Sequence, residues 1–123
     1  MIKRPSYSEI QRKIKQAKEA VFNNKILILK PIVIALDALD LGYSIEEIKV
    51  ILAGLLDEIT PGHYVGHSPP QRSYEDELFQ SELFAFQWES KRLGCKTYLK
   101  FAFKDEHLWL ISLHQGRIDP KGR

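Results

Sequence analysis

The 123-residue chain reads as an α+β domain, with three N-terminal helices packed on one face of a C-terminal antiparallel sheet of three to four strands. Two periodicities carry that prediction. Up to about residue 55 apolar side chains recur three and four apart, the spacing of helices with one buried side; from Phe84 onward large apolar residues alternate with small or polar ones, the spacing of half-buried strands. A third observation separates the two halves: Pro61, Gly62, Gly66, Ser68, Pro69 and Pro70 crowd the stretch 60–72, which is turn chemistry.

Ser8-Glu9-Ile10-Gln11 fits a capping box, and Ile10, Ile14, Ala17 and Val21 then supply the buried stripe of a first helix ending near Asn23 or Asn24. Its other side carries Arg12, Lys13, Lys15 and Lys18, a face for water or for a polyanion. Pro31 suits the first turn of a second helix, whose expected core stripe is Ile32, Ala35, Leu36 and Leu39 and whose stop is Gly42. Ser44 with Glu47 three residues later opens a third helix, lined by Ile45, Ile48, Leu52 and Leu55. The stretch 60–72 then forms a surface loop, with one short edge strand around 63–65.

In the strand region Phe84, Phe86 and Trp88 point toward the core. Leu99, Phe101 and Phe103 form an apolar odd-numbered set, and Trp109, Ile111 and Leu113 a matching one. Two antiparallel strands keep both sets on one face only when opposed residue numbers sum to an even value, which predicts a three-residue loop of Asp105, Glu106 and His107 with Lys104 facing Leu108. In that register Tyr98 lies across from His114, and Gln87, Tyr98, Lys100, Ser112 and His114 share the opposite face.

Length sets one domain over 1–123 as the default, with the last eight or so residues a basic tail. The longest apolar run, Ile32 to Leu36, is far short of the roughly 20 residues a membrane helix needs. No apolar signal core follows the N-terminus, and Cys95 is the lone cysteine, more consistent with a structural role than with a nucleophile. A soluble protein of a reducing cytoplasm is the expectation. Charge is uneven: 8 basic and 2 acidic residues in 1–30, 2 and 11 in 31–90, 8 and 3 in 91–123. Basic ends brought together would attract polyanions, while charges spread over solvated faces would attract nothing in particular.

The polar strand face has the residue types that internal RNA cleavage needs. A 2′-hydroxyl must lose its proton, the leaving 5′-oxygen must gain one, and charge on the phosphorane-like transition state must be stabilised. Histidine serves as acid or base near neutrality, Tyr98 can donate a hydrogen bond or share in proton transfer, Lys100 can stabilise phosphate charge, and Gln87 can only position. A plain solvated sheet face would also be polar. His63 and His67 are four apart but sit among glycines and prolines, with no acidic or thiol partner to complete a metal site, and no Gly-rich phosphate loop, GxSxG or CxxC occurs. Neither a metal nor a small-molecule cofactor is expected.

Lys3-Arg4-Pro5 before a lysine-rich helix, the segment from Ala35 to Gly42 leading into the Ser44 helix, and the strands Tyr98-Leu99-Lys100 and Ile111-Ser112-Leu113 occur in the order seen in the MqsR family of RelE-like toxins, which the chain resembles over about 100 residues. That resemblance implies the RelE-like arrangement of helices on a sheet, metal-independent cleavage of messenger RNA, and neutralisation by a cognate antitoxin. It carries the family's catalytic tyrosine onto Tyr98 and its glutamine onto Gln87. The catalytic lysine near the C-terminus falls on His114, a departure that changes the protonation logic. A further family lysine after the third helix has no counterpart, and His63, Tyr64 and His67 stand in that region as substitutes for substrate binding, with Arg92 and Ser112 as additional contacts. The loop with Pro69 and Pro70, longer than the family pattern, would be a substrate-side loop or an antitoxin contact. Two rivals stay open: a non-catalytic RNA- or ribosome-binding module, and a protein-interaction domain sharing only the fold.

Overall fold

A computed structural model describes residues 4–116, so most of the expected basic tail lies outside the described residues. Helix α1 (Tyr7–Phe22) is followed by strand β1 (Ile26–Ile28), helix α2 (Pro31–Leu41), a 3-10 turn Ile45–Glu47 running into helix α3 (Ile48–Glu58), and strands β2 (Phe84–Ser90), β3 (Cys95–Lys104) and β4 (His107–Gln115). The strands make one four-stranded sheet in the order β1-β4-β3-β2.

The three helices and one face of this sheet share a single core. Ile10, Ile14, Ala17 and Val21 of α1 meet Leu52, Leu55 and Leu56 of α3, Ile34 and Ala38 of α2, and Phe84, Phe86, Leu99, Phe101, Leu108, Leu110 and Leu113 of the strands. Three phenylalanine rings stitch the sheet side: Phe101 stacks on Phe86 at 5.6 Å and meets Phe103 edge-on at 5.5 Å. Lys13, expected to face water or a polyanion, instead lays its ammonium over Phe84 and Phe103, 5.4 and 5.6 Å from their centroids.

Several expectations need correction. The sheet is mixed, because β1 joins β4 in parallel, Leu27 beside Trp109. The sequence reading assigned no element to 26–28. Asn24 in the left-handed region at φ 62° ends the helical path, and Pro31 begins the next helix, leaving just enough chain for three paired residues. Helix α1 is capped two residues earlier than expected, by Ser6, whose hydroxyl accepts the Glu9 N–H at 3.1 Å. Helix α2 buries Ile34 and Ala38, while Ile32, Leu36 and Leu39 of the expected stripe are exposed. Its run Ile32 to Leu36 is apolar on several sides, so period alone did not identify the inward one, and the small Ala38 is the residue that can approach the sheet closely. The Ser44–Glu47 capping box and the Gly42 stop (φ 91°) are as expected. Around 63–65 there is a single bridge, Tyr64 to Phe86, in place of a strand.

The hairpin turn is also different. Lys104 pairs with His107, so the loop has only two residues, Asp105 and Glu106, at φ 53° and 65° as a primed turn requires. That register turns Leu108 and Leu110 inward in place of Trp109 and Ile111. Between Phe101↔Leu110 and Lys100↔Ser112 the ladder then takes up one extra residue, Ile111, as a β-bulge. The bulge restores even parity: Leu99 faces Leu113, and Tyr98 faces His114 as expected. Among the described residues no helix is long and apolar enough to cross a membrane.

Candidate active site on the open sheet face

Parity assigns the second face of the sheet. Because Phe101 and Leu99 point into the core, Tyr98, Lys100 and Ala102 point away from it, and pairing adds their cross-strand partners. Three rows result: Gln87–Tyr98–His114, then Ala85–Lys100–Ser112, then Ala102 beside Trp109 next to the turn.

The third row is covered. Ala102 and Leu78 are fully buried and Ala85 nearly so, yet all three lie outside the main core, and the Trp109 indole nitrogen is buried without a partner among the described residues. The segment 71–83 closes over this end, tied down where Lys104 Nζ donates to the Glu77 carbonyl at 2.8 Å. Its own fold is a small antiparallel clasp, in which Leu83 N–H donates to Gln71 O and Ser73 N–H to Ser81 O.

The first two rows remain open, and their five polar side chains, Gln87, Tyr98, Lys100, Ser112 and His114, line one concave cavity of about 380 Å³. All five are half-buried. The Tyr98 and His114 rings stack, centroids 5.0 Å apart and planes 20° from parallel. His114 Nδ1 lies 2.9 Å from the Gln115 carbonyl, which can only accept, so the neutral imidazole carries its proton on Nδ1 and leaves the Nε2 lone pair for another partner. Lys100 makes no ion pair among the described residues, so its ammonium is available to an incoming anion. Base, hydroxyl, ammonium and amide thus converge on one space large enough for a phosphate and its flanking sugar oxygens.

The remaining expected binding residues are elsewhere. Arg92 sits in the β2–β3 turn, on the helix side: its backbone N–H donates to Glu58, and its side chain lies against α3 so closely that a Cβ at Gly54 would meet Arg92 Nε at 2.0 Å. It lines a groove with Phe22 and Val50, away from the five. His63 Nδ1 accepts the Thr60 N–H at 3.1 Å and its ring lies near Trp88. Tyr64 sets its ring edge against Phe86, donates its hydroxyl to the His67 carbonyl, and is shifted upward in pKa by burial. His63 and Tyr64 therefore brace the edge of β2, and none of the three residues of that loop joins the cavity.

Sequence reasoning missed Asp37 and Asp40 of α2, which line a neighbouring cavity with His114 and Gln115. They give the imidazole an acidic flank opposite in sign to Lys100. The signal was available as two acids three apart on an otherwise apolar helix, but reading that helix only for its core stripe passed over them. Among the described residues no group of three or more His, Cys, Asp or Glu side chains is placed to hold a metal ion. No protein-family model matches the chain, and no curated protein matches it.

Proposed function

We propose that the chain is a metal-independent endoribonuclease of the RelE-like, MqsR-like type, the toxin of a type II toxin-antitoxin pair acting on messenger RNA in the cytoplasm, with a cognate antitoxin as its protein partner. The observation that carries the reading is the stacked Tyr98–His114 pair, with Lys100, Ser112 and Gln87 around one cavity. The resemblance of the Tyr98-Leu99-Lys100 and Ile111-Ser112-Leu113 strands to that family supplies the substrate class.

In this mechanism the ribose 2′-hydroxyl loses its proton to Nε2 of His114 and O2′ bonds to phosphorus. The P–O5′ bond breaks, and the 5′-oxygen takes the proton of the Tyr98 hydroxyl. The products are a 2′,3′-cyclic phosphate and a 5′-hydroxyl, and solvent returns the proton from the imidazolium to the phenolate. Lys100 and the Ser112 hydroxyl stabilise charge on the non-bridging oxygens, and the Gln87 amide orients the sugar. Acid–base catalysis contributes roughly a hundred- to ten-thousand-fold, and one electrostatic donor a similar factor, so these groups suffice for a large acceleration.

The test is incubation with a defined RNA, and with the same strand carrying 2′-deoxy sugars, in excess EDTA. The expected result is cutting of the RNA alone, leaving cyclic phosphate ends. Cutting of the deoxy strand, or 3′-hydroxyl ends, would contradict attack by the 2′-oxygen, and salt-sensitive binding without scission would favour a binding module.

A further inference from the structure

Lys100 borders two cavities. One is the site described above; the other, about 370 Å³, lies toward the hairpin turn on the same side of the sheet, walled by Leu29, Leu83 and Ile111 and edged by Arg72 and Tyr74 of the closing segment. Tyr74 is 80% exposed, although the backbone beside it is clamped. Its neighbour Ser73 is buried, donates its N–H to Ser81 O at 2.8 Å, accepts the Gln80 N–H at its carbonyl at 2.9 Å, and accepts the Glu75 N–H at its hydroxyl at 3.1 Å. A large flat ring is thus held in water on a fixed support, beside a cavity with apolar walls in Leu29, Leu83 and Ile111 and polar ones in Gln71 and Glu75.

Charge around this cavity favours an anion on one side only. Arg72 and Lys100 make no ion pair among the described residues, whereas Glu75 is engaged by Lys30 at 3.4 Å. Beyond Tyr74 the exposed Asp76 and Glu77 would repel a phosphate.

We infer that this second cavity is a nucleobase subsite: a base flanking the cleaved linkage stacks on Tyr74, while Arg72 and Lys100 hold the phosphate between the two cavities. The inference rests on the RNA-cleavage reading and adds to it the place of one flanking nucleotide. Stacking on an aromatic ring tolerates any base, because every base has a π face, and the apolar walls Leu29, Leu83 and Ile111 add no side-chain hydrogen bonds, which leaves Gln71 and Glu75 of the lining as the side chains able to read a base edge. The subsite therefore requires a base, and any discrimination among bases falls to Gln71 and Glu75. The acidic pair beyond Tyr74 limits it to a single nucleotide.

The experiment is fluorescence anisotropy with an eight-nucleotide mixed-sequence RNA made non-cleavable by 2′-fluoro sugars, run beside scission of its unmodified counterpart. Tyr74→Ala and Arg72→Ala are each expected to weaken binding about tenfold, and Tyr74→Phe to retain it. Undiminished binding by Tyr74→Ala, or a Tyr74→Phe variant as weak as Tyr74→Ala, would remove the stacking subsite, and continued scission by the wild type would leave the nuclease reading standing. A wild-type protein that neither binds nor cuts RNA would remove both.

Discussion

Toward its turn the β3–β4 pair presents Ala102 and Trp109 to a segment that closes over them; toward its free end the same face presents Tyr98, Lys100, Ser112 and His114 to solvent. At one end Ala102 and Leu78 are fully buried outside the main core, near the Lys104–Glu77 tie. The other keeps four polar side chains and the Gln87 amide around a cavity. The contrast teaches that the open rows are not bare for want of chain to cover them, since the segment 71–83 reaches the sheet and stops beside Lys100. Covering them would bury the Lys100 ammonium, which makes no ion pair among the described residues, and a polar group buried without a partner costs about 1–3 kcal/mol, more for a charge.

The largest expected effect tests what the two ends share. Phe101 is fully buried beneath both, between Phe86 and Phe103, and Phe101→Ala should cost about 3–5 kcal/mol in denaturant unfolding, lowering stability and activity together. Leu78→Ala should separate the ends. Removing this buried side chain is expected to cost about 2–4 kcal/mol and to raise hydrogen exchange at the amides of Ser73, Gln80 and Ser81, leaving exchange in the Tyr98↔His114 pairing unchanged.

A third substitution acts on the helix layer, away from either end. The Glu58 carboxylate accepts from the Trp88 indole at 2.8 Å and from the Arg92 backbone N–H at 2.9 Å. Burial pushes its pKa up, but those hydrogen bonds, with one from Ser90, outweigh it and hold the carboxyl below its ordinary value. A folded pKa below the unfolded one means stability that is present above the unfolded value and lost as pH falls through the folded one. Glu58→Ala should therefore cost about 1–2 kcal/mol at neutral pH, with the gap to wild type closing in acid, read from unfolding midpoints between pH 7 and pH 3. Ser44→Ala, which removes the cap of the turn into α3, should cost about 1 kcal/mol and leave both ends of the hairpin as they are.

How much of this could be read beforehand depends on whether the signal was local. The parity of Leu99, Phe101 and Phe103 against Tyr98 and Lys100 marks the two faces of β3 in sequence, and the five residues of the open cavity follow from it. The route to His114 was hidden in two compensating irregularities. A two-residue turn built on Asp105 and Glu106, without the asparagine or glycine such turns favour, shifts parity by one, and the bulge at Ile111 shifts it back. Strand β1 was not legible because its three residues gain their pairing from β4, some eighty positions later. The closing segment 71–83 was not legible for the same reason. Leu78 stands in an acidic stretch with no periodicity, and only the tertiary fold reveals what it fills. Arg92 was grouped with the site by residue type and the 63–67 loop by the family resemblance, yet the chain sends them to the helix side and to the outer edge of β2.

The most direct test of the central claim, that the open end of the hairpin is a site of RNA scission, is the single-turnover cleavage rate of a defined RNA by wild type, His114→Ala and Tyr98→Phe. Unfolding midpoints of all three would be measured alongside. The account predicts rates about a hundred- to ten-thousand-fold lower in both variants at unchanged midpoints, since both side chains lie outside the buried core. Cleavage undiminished by either substitution, or none by wild type, would contradict it.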